Sequence, residues 1–127
     1  MSWSYFSDNE LRCRCGCGQM KMNLDFMQKL VALRQRLDFP LVLSSAYRCP
    51  DHNQKVSTTG NQGAHTTGRA VDIKVAGVQA YRLLQFAVHF GFTGIGIKQS
   101  GPHYTRYIHL DDLTPIQGFP RPGVWGY

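Results

Sequence analysis

No run of apolar residues in this sequence approaches the ~20 needed to cross a bilayer as a helix, so membrane insertion is not expected. The opening residues, Met1-Ser-Trp-Ser-Tyr-Phe6, lack a basic stretch followed by an apolar one, so no secretory signal is expected either. No two Lys or Arg residues are adjacent; the 14 cations are scattered singly, unlike the clustered arm of a nucleic-acid-binding protein. There is no Cys-x-x-Cys pair of the kind zinc knuckles use. Internal repeats, linkers and low-complexity segments are absent too. At 127 residues the chain has room for one domain, 1–127, and it is expected to be a monomer without a nucleic-acid partner.

The residues present describe an ordinary globular chain with an excess of positive charge. An apolar fraction of 43% and an aromatic fraction of 12% suffice for a core of moderate size. Eight acidic residues against 14 basic ones leave a net charge of +6, which favours polyanionic partners; bacterial cell walls are polyanions as well as nucleic acids. Cys13, Cys15 and Cys17 alternate with Arg14 and Gly16, and Cys49 follows Tyr47-Arg48. Three readings are open for them: buried thiols in a reducing cytoplasm, a small structural metal site closed by Cys49, or a disulfide from Cys49 to one of the other three. In each, they staple the Cys-rich segment 1–22 beside the site.

Periodicity supplies the elements. Residues 1–22 read as irregular. Asn23 or Asp25 can cap a helix whose face is Phe26, Leu30, Leu33 and Leu37, ended by Pro40. Leu41–Ala46 reads as a short buried strand. Residues 47–64 are polar and turn-rich, with Asp51 placed to cap a short helical turn after Pro50. Ala70–Val75 reads as a strand with Val71, Ile73 and Val75 inward and Asp72 and Lys74 outward. A second helix runs from Val78 to Phe90 with Val78, Tyr81, Leu84 or Gln85, and Val88 on its face, and Gly91 just beyond its end. Strands follow at Thr93–Lys98 and Tyr107–Leu110, and the tail 115–127 reads as an extended closure. The order predicts an α+β fold, a small, mostly antiparallel sheet flanked by two main helices.

Chemistry concentrates in His65-Thr-Thr-Gly-Arg-Ala-Val-Asp72 and Ile108-His109-Leu110-Asp111. Two imidazoles and one carboxylate suit a single zinc ion. Three protein ligands leave a fourth position open, as in hydrolytic rather than structural zinc sites. Seven residues of unbroken strand would span roughly 20 Å or more, too far for one ion. Gly68 permits the turn that brings His65 back beside Asp72, and His109 must arrive from a neighbouring strand. Taken singly, each of the three also reads as a solvated loop or strand-face residue. It is their joint placement that points to a metal.

Ser45-Ala-Tyr-Arg48, His65-x-x-Gly68-x-Ala70-x-Asp72 and Ile108-His109-Leu110-Asp111 resemble the zinc D-alanyl-D-alanine carboxypeptidase family of peptidoglycan peptidases. That family includes phage endolysins and is related in fold to the hedgehog signalling domain. The resemblance covers roughly residues 5–115. It implies one catalytic zinc held by His65, Asp72 and His109, peptide bonds of peptidoglycan stem peptides as substrate, and Arg48 beside the metal to steady a developing oxyanion. Relatives often place Glu or Asp three residues before the last His ligand. Arg106 stands there in this chain and cannot act as a base, which leaves His103 as the expected general base. Gly63 stands where relatives often carry Ser. Asp111 is placed to orient a ligand, and His52 and Asn53 to shape the rim. The expected setting is synthesis in a host cytoplasm and action on the wall after release, or carriage in a phage particle. The rival is a non-catalytic zinc module that binds wall peptides or a partner protein, favoured by Arg106.

Overall fold

A computed structural model describes residues 2–127; Met1, where the expected segment 1–22 begins, lies outside the described residues. The helices are α1 (Asp8–Leu11), α2 (Leu24–Arg36), α3 (Pro50–Val56) and α4 (Gly77–Ala87), and the strands are β1 (Leu43–Ser45), β2 (Ala70–Ile73), β3 (Gly94–Lys98), β4 (Tyr107–Asp111) and β5 (Gly123–Gly126). The strands form one sheet in the order β1-β2-β4-β3-β5. Every pairing is antiparallel except β3 with β5. The fold is thus α+β with a mostly antiparallel sheet, as the sequence predicts. Among the described residues, no helix is long and apolar enough to cross a membrane.

Alternation along the strands divides the sheet into two functional faces. Val71 and Ile73 of β2, Ile108 and Leu110 of β4, and Ile95 of β3 enter the core with Phe26, Met27, Leu30 and Leu33 of α2. Asn23 starts α2 by accepting a hydrogen bond from the Phe26 amide at 3.0 Å, a cap worth about 1 kcal/mol. Arg34 and Arg36 in the last turn complement the helix dipole. Truncating the fully buried Leu30 to Ala would cost about 2–5 kcal/mol. The opposite residues, Asp72, His109, Asp111 and Trp125, share the other face with Gly94 and Gly96.

Several sequence expectations are corrected. α4 buries Ala80, Leu83 and Ala87, while Val78, Tyr81 and Val88 are 76%, 74% and 67% exposed. Small alanines let the helix backbone approach the sheet more closely than the larger expected face would. α4 ends at Ala87 rather than Phe90, and Gly91, at φ 96°, closes the turn that follows by donating to the Val88 carbonyl at 3.1 Å. The segment 1–22 contains α1, opened by a reciprocal Ser7–Glu10 capping box. The residue that caps α3 is Cys49, whose Sγ accepts from the His52 amide at 3.4 Å, while Asp51 lies in the first turn. The strand expected at Leu41–Ala46 shortens to β1, Leu43–Ser45, whose pairing with β2 carries a register shift between Leu43 and Ser45. The strand expected at Ala70–Val75 ends at Ile73, and Asp72 is buried rather than outward. The tail folds into a 3₁₀ turn, Pro115–Gln117, and then adds β5 to the sheet.

Candidate functional site

The register of β2 and β4 sets Asp72 opposite His109. Asp72 Oδ1 lies 3.1 Å from His109 Nδ1 and 3.2 Å from His65 Nε2. His65 arrives from a 3₁₀ turn, Ala64–Thr67, that ends at Gly68 in the left-handed region at φ 76°. A Cβ at Gly68 would run into the Lys21 carbonyl oxygen, and the Gly68 carbonyl accepts from the Asn23 amide at 2.9 Å. The turn is therefore tied to the start of α2, and only glycine suits its last position.

Each imidazole is oriented through its other nitrogen. His65 Nδ1 lies 2.8 Å from the Ala46 carbonyl oxygen, a contact that places the proton on Nδ1 and the lone pair on Nε2. His109 Nε2 lies 2.6 Å from Asp111 Oδ2, which leaves Nδ1 as the free donor atom. Arg121 grips Asp111 with Nε at 3.0 Å and Nη2 at 2.8 Å. Burial alone would raise the Asp111 carboxyl, but hydrogen bonds from His109 and Arg121 outweigh it and hold the group at about 2. Burial acts upward on Asp72 too, yet His65 and His109 keep it well below the usual carboxylate range. For His109, burial pushes downward, and the contacts with Asp111 and Asp72 prevail and raise it.

Two imidazole lone pairs and one carboxylate oxygen thus face one another, and they repel unless a proton or a cation lies between them. The three ligand atoms are all within 4.8 Å of each other. Tetrahedral zinc with bonds of about 2.0–2.2 Å needs ligand atoms about 3.3–3.6 Å apart, close to the 3.1 and 3.2 Å separations here. The residues present fit zinc, and their outer hydrogen bonds fit the usual support of a metal-binding histidine.

This cluster lies in a cleft of about 560 Å³ whose lining includes Arg48, Tyr107, Trp125 and Tyr127. Arg48 Nη2 is 3.6 Å from Asp72 Oδ2. Its Nε donates to Ser45 Oγ at 3.2 Å and its Nη1 to Asn53 Oδ1 at 3.0 Å. Asn53 is itself fixed, donating from Nδ2 to Thr59 Oγ1 at 2.9 Å and to the Gly60 carbonyl at 2.5 Å. A Cβ at Gly63 would strike Thr59 Oγ1 and lie 2.8 Å from Asn53 Nδ2, so a serine has no room at that position. On the far wall the Trp125 ring sits 5.3 Å from the His109 ring, with the Arg121 guanidinium 4.7 Å over it. The Tyr107 and Tyr127 rings are 5.3 Å apart. Burial first, then the neighbouring Tyr127, pushes the Tyr107 phenol up to about 12, so it keeps its proton.

The structure brings together His65, Asp72, His109 and Arg48. His103 stands apart, exposed on the 3₁₀ turn His103–Thr105 at the β3–β4 connection, and it is not among the residues lining the cleft. Arg106, also outside the lining, donates from Nε to the Gly101 carbonyl at 3.0 Å. Arg121, Trp125 and Tyr127 of the cleft lining are not singled out by the sequence, where the tail reads as an extended closure. The signal was Gly94-Ile-Gly96: glycines at alternate strand positions clear one sheet face for another group to approach. A Cβ at Gly96 would lie 2.5 Å from Trp125 Nε1.

Fold and site together define an α+β chain in which His65, Asp72 and His109 could hold one metal ion in the lining of an open cleft. The Peptidase M15 family model matches residues 4–111, and the chain belongs to that family of zinc-dependent metallopeptidases. No curated protein and no solved structure matches it.

Proposed function

We propose that this metallopeptidase hydrolyses peptide bonds in the stem peptides of peptidoglycan, as a phage endolysin or a related murein peptidase. One observation carries the reading: the free atoms of His65, Asp72 and His109 converge within 4.8 Å in an open cleft, with the Arg48 guanidinium beside them. These three residues would hold the zinc, which supplies Lewis-acid polarisation of an amide carbonyl and a water acidified to a pKa of about 7.

The chain's own residues supply the rest. Ser45 and Asn53 aim the Arg48 fork, so its N–H groups are positioned to stabilise the oxyanion of a tetrahedral intermediate. Tyr107 keeps its phenolic proton and can donate to substrate carbonyls. Trp125 and Tyr127 form an aromatic wall that restricts water and orients an extended peptide. The net charge of +6 complements the anionic wall and the carboxylates of its peptides.

One observation favours the second reading, a non-catalytic zinc module that captures wall peptides. Among the residues lining the cleft, there is no carboxylate other than Asp72 and no imidazole beyond the two in the cluster. Mass spectrometry of purified peptidoglycan incubated with zinc-loaded protein separates the two readings. New muropeptides identify the bond cut: loss of terminal D-Ala, a break between L-Ala and D-Glu, or an opened cross-link. Retention of the protein on walls whose muropeptides stay unchanged would establish the binding module instead.

A further inference from the structure

Away from the cleft, the four cysteines form a second cluster. Their sulfurs all lie within 4.8 Å of one another, with Cys13 Sγ 3.5 Å from Cys15 Sγ and Cys15 Sγ 3.7 Å from Cys49 Sγ. Four sulfurs around a zinc ion at about 2.3 Å would be separated by about 3.8 Å. The match requires an unusual backbone. An extended chain would put Cys13 and Cys17 roughly 13 Å apart on one face. Here the chain curls through Gly16 and Gly18, at φ 88° and 80°, and the Cys13 amide closes the loop by donating to the Gln19 carbonyl at 2.9 Å.

Backbone amides point at the sulfurs. The Cys49 amide donates to Cys13 Sγ at 3.3 Å, the Gln19 amide to Cys17 Sγ at 3.5 Å and the His52 amide to Cys49 Sγ at 3.4 Å. Such donors stabilise thiolate over thiol. A disulfide would use two of the sulfurs and leave the other two crowded beside it. A soft cation uses all four at once. Cys13 and Cys49 are buried while Cys15 and Cys17 are exposed, so an ion can enter from the solvent side.

We propose that Cys13, Cys15, Cys17 and Cys49 hold a second zinc ion in a closed tetrathiolate site that fastens the N-terminal segment to the base of α3. The anchored chain is the one that serves the cleft. Cys49 follows Arg48 directly, and the Ala46 carbonyl that orients His65 lies three residues before it. The Tyr47 amide between them donates to the Leu11 carbonyl at 3.3 Å. This site does not depend on what the cleft hydrolyses.

Metal analysis of the purified protein tests it. Elemental analysis should give two zinc ions per chain in the wild type, one in His65→Ala/His109→Ala and one in Cys15→Ser/Cys17→Ser. X-ray absorption at the zinc edge of the histidine variant should show only sulfur neighbours, at about 2.3 Å. Stripping that variant of zinc should lower its melting temperature by more than about 5 °C. A wild type with one zinc bound only through nitrogen and oxygen, or a histidine variant without zinc, overturns the proposal. An unchanged melting temperature on stripping overturns the fastening role. The wild type and the histidine variant decide the matter even if the cysteine variant fails to fold. Two zinc ions per chain without wall hydrolysis would count against the proposed peptidase and leave this site intact.

Discussion

His109 faces Asp72 directly across the β2–β4 pairing, and its Nδ1 lies 3.1 Å from Asp72 Oδ1. Their approach is set by main-chain register rather than by flexible side chains. A one-residue slip of β4 would carry His109 to the core face and put Ile108 or Leu110 in the cleft. The third ligand, His65, depends on the Gly68 turn and on the Ala46 carbonyl. The three candidate ligands therefore come from three separate segments, each held by its own main-chain contacts.

Loss of a ligand should remove both metal and activity. His109→Ala or Asp72→Ala is expected to lower wall hydrolysis by at least about 10³-fold, since Lewis-acid assistance is worth several kcal/mol. The zinc of the cleft should be lost with it, as read by elemental analysis. Substantial activity in either variant would contradict the ligand assignment.

Arg48 is expected to act on the rate more than on binding. Arg48→Ala should lower kcat about 10²–10³-fold, the usual cost of one oxyanion donor. Arg48→Lys should recover little, because a point charge cannot reach Ser45, Asn53 and the substrate together. Steady-state kinetics on a soluble muropeptide checks this; a change confined to KM would indicate a binding role.

Asp111 works through His109. Asp111→Asn keeps the shape but removes the charge gripped by Arg121, and zinc affinity in the cleft should weaken about 10–100-fold. Titration against a competing chelator reads this directly. Equal affinity in the two proteins would show that the Asp111–His109 contact does not tune the metal.

His103→Ala should leave hydrolysis within about tenfold of wild type, below the usual contribution of a general base. The reason is placement: His103 is exposed on its 3₁₀ turn and outside the cleft lining. A 10²-fold or larger loss, with zinc retained, would establish His103 as the general base that the sequence suggests.

Gly96 clears space for the aromatic wall. Gly96→Ala should destabilise the protein by about 1–3 kcal/mol, because its Cβ would meet Trp125 at 2.5 Å and Tyr127 Oη at 2.8 Å. A lower urea midpoint is the expected result. An unshifted midpoint would mean that β5 packs loosely.

The parts of this protein that were legible in its sequence are those that leave short-range signatures. α2 shows its apolar face and its Asn23 cap, and the ligands lie in compact motifs around His65, Asp72 and His109. Periodicity alone does not say whether Val78 and Tyr81 or Ala80 and Leu83 of α4 turn inward; the structure buries Ala80, Leu83 and Ala87. Trp125 and Tyr127 were invisible as site residues because their place depends on parallel pairing of β5 with β3, a contact some 29 residues apart in register (Gly94 with Gly123). The Ser7–Glu10 capping box that opens α1 has a local sequence signature, set in a segment dominated by cysteine and glycine.

The most direct test of the centre is an anomalous difference map at the zinc edge from crystals of the zinc-loaded protein. The account predicts a peak at bonding distance, about 2.0–2.2 Å, from His65 Nε2, Asp72 Oδ1 and His109 Nδ1 together. A map with no peak between these three atoms, or with the imidazoles of His65 and His109 turned away from each other, would contradict it.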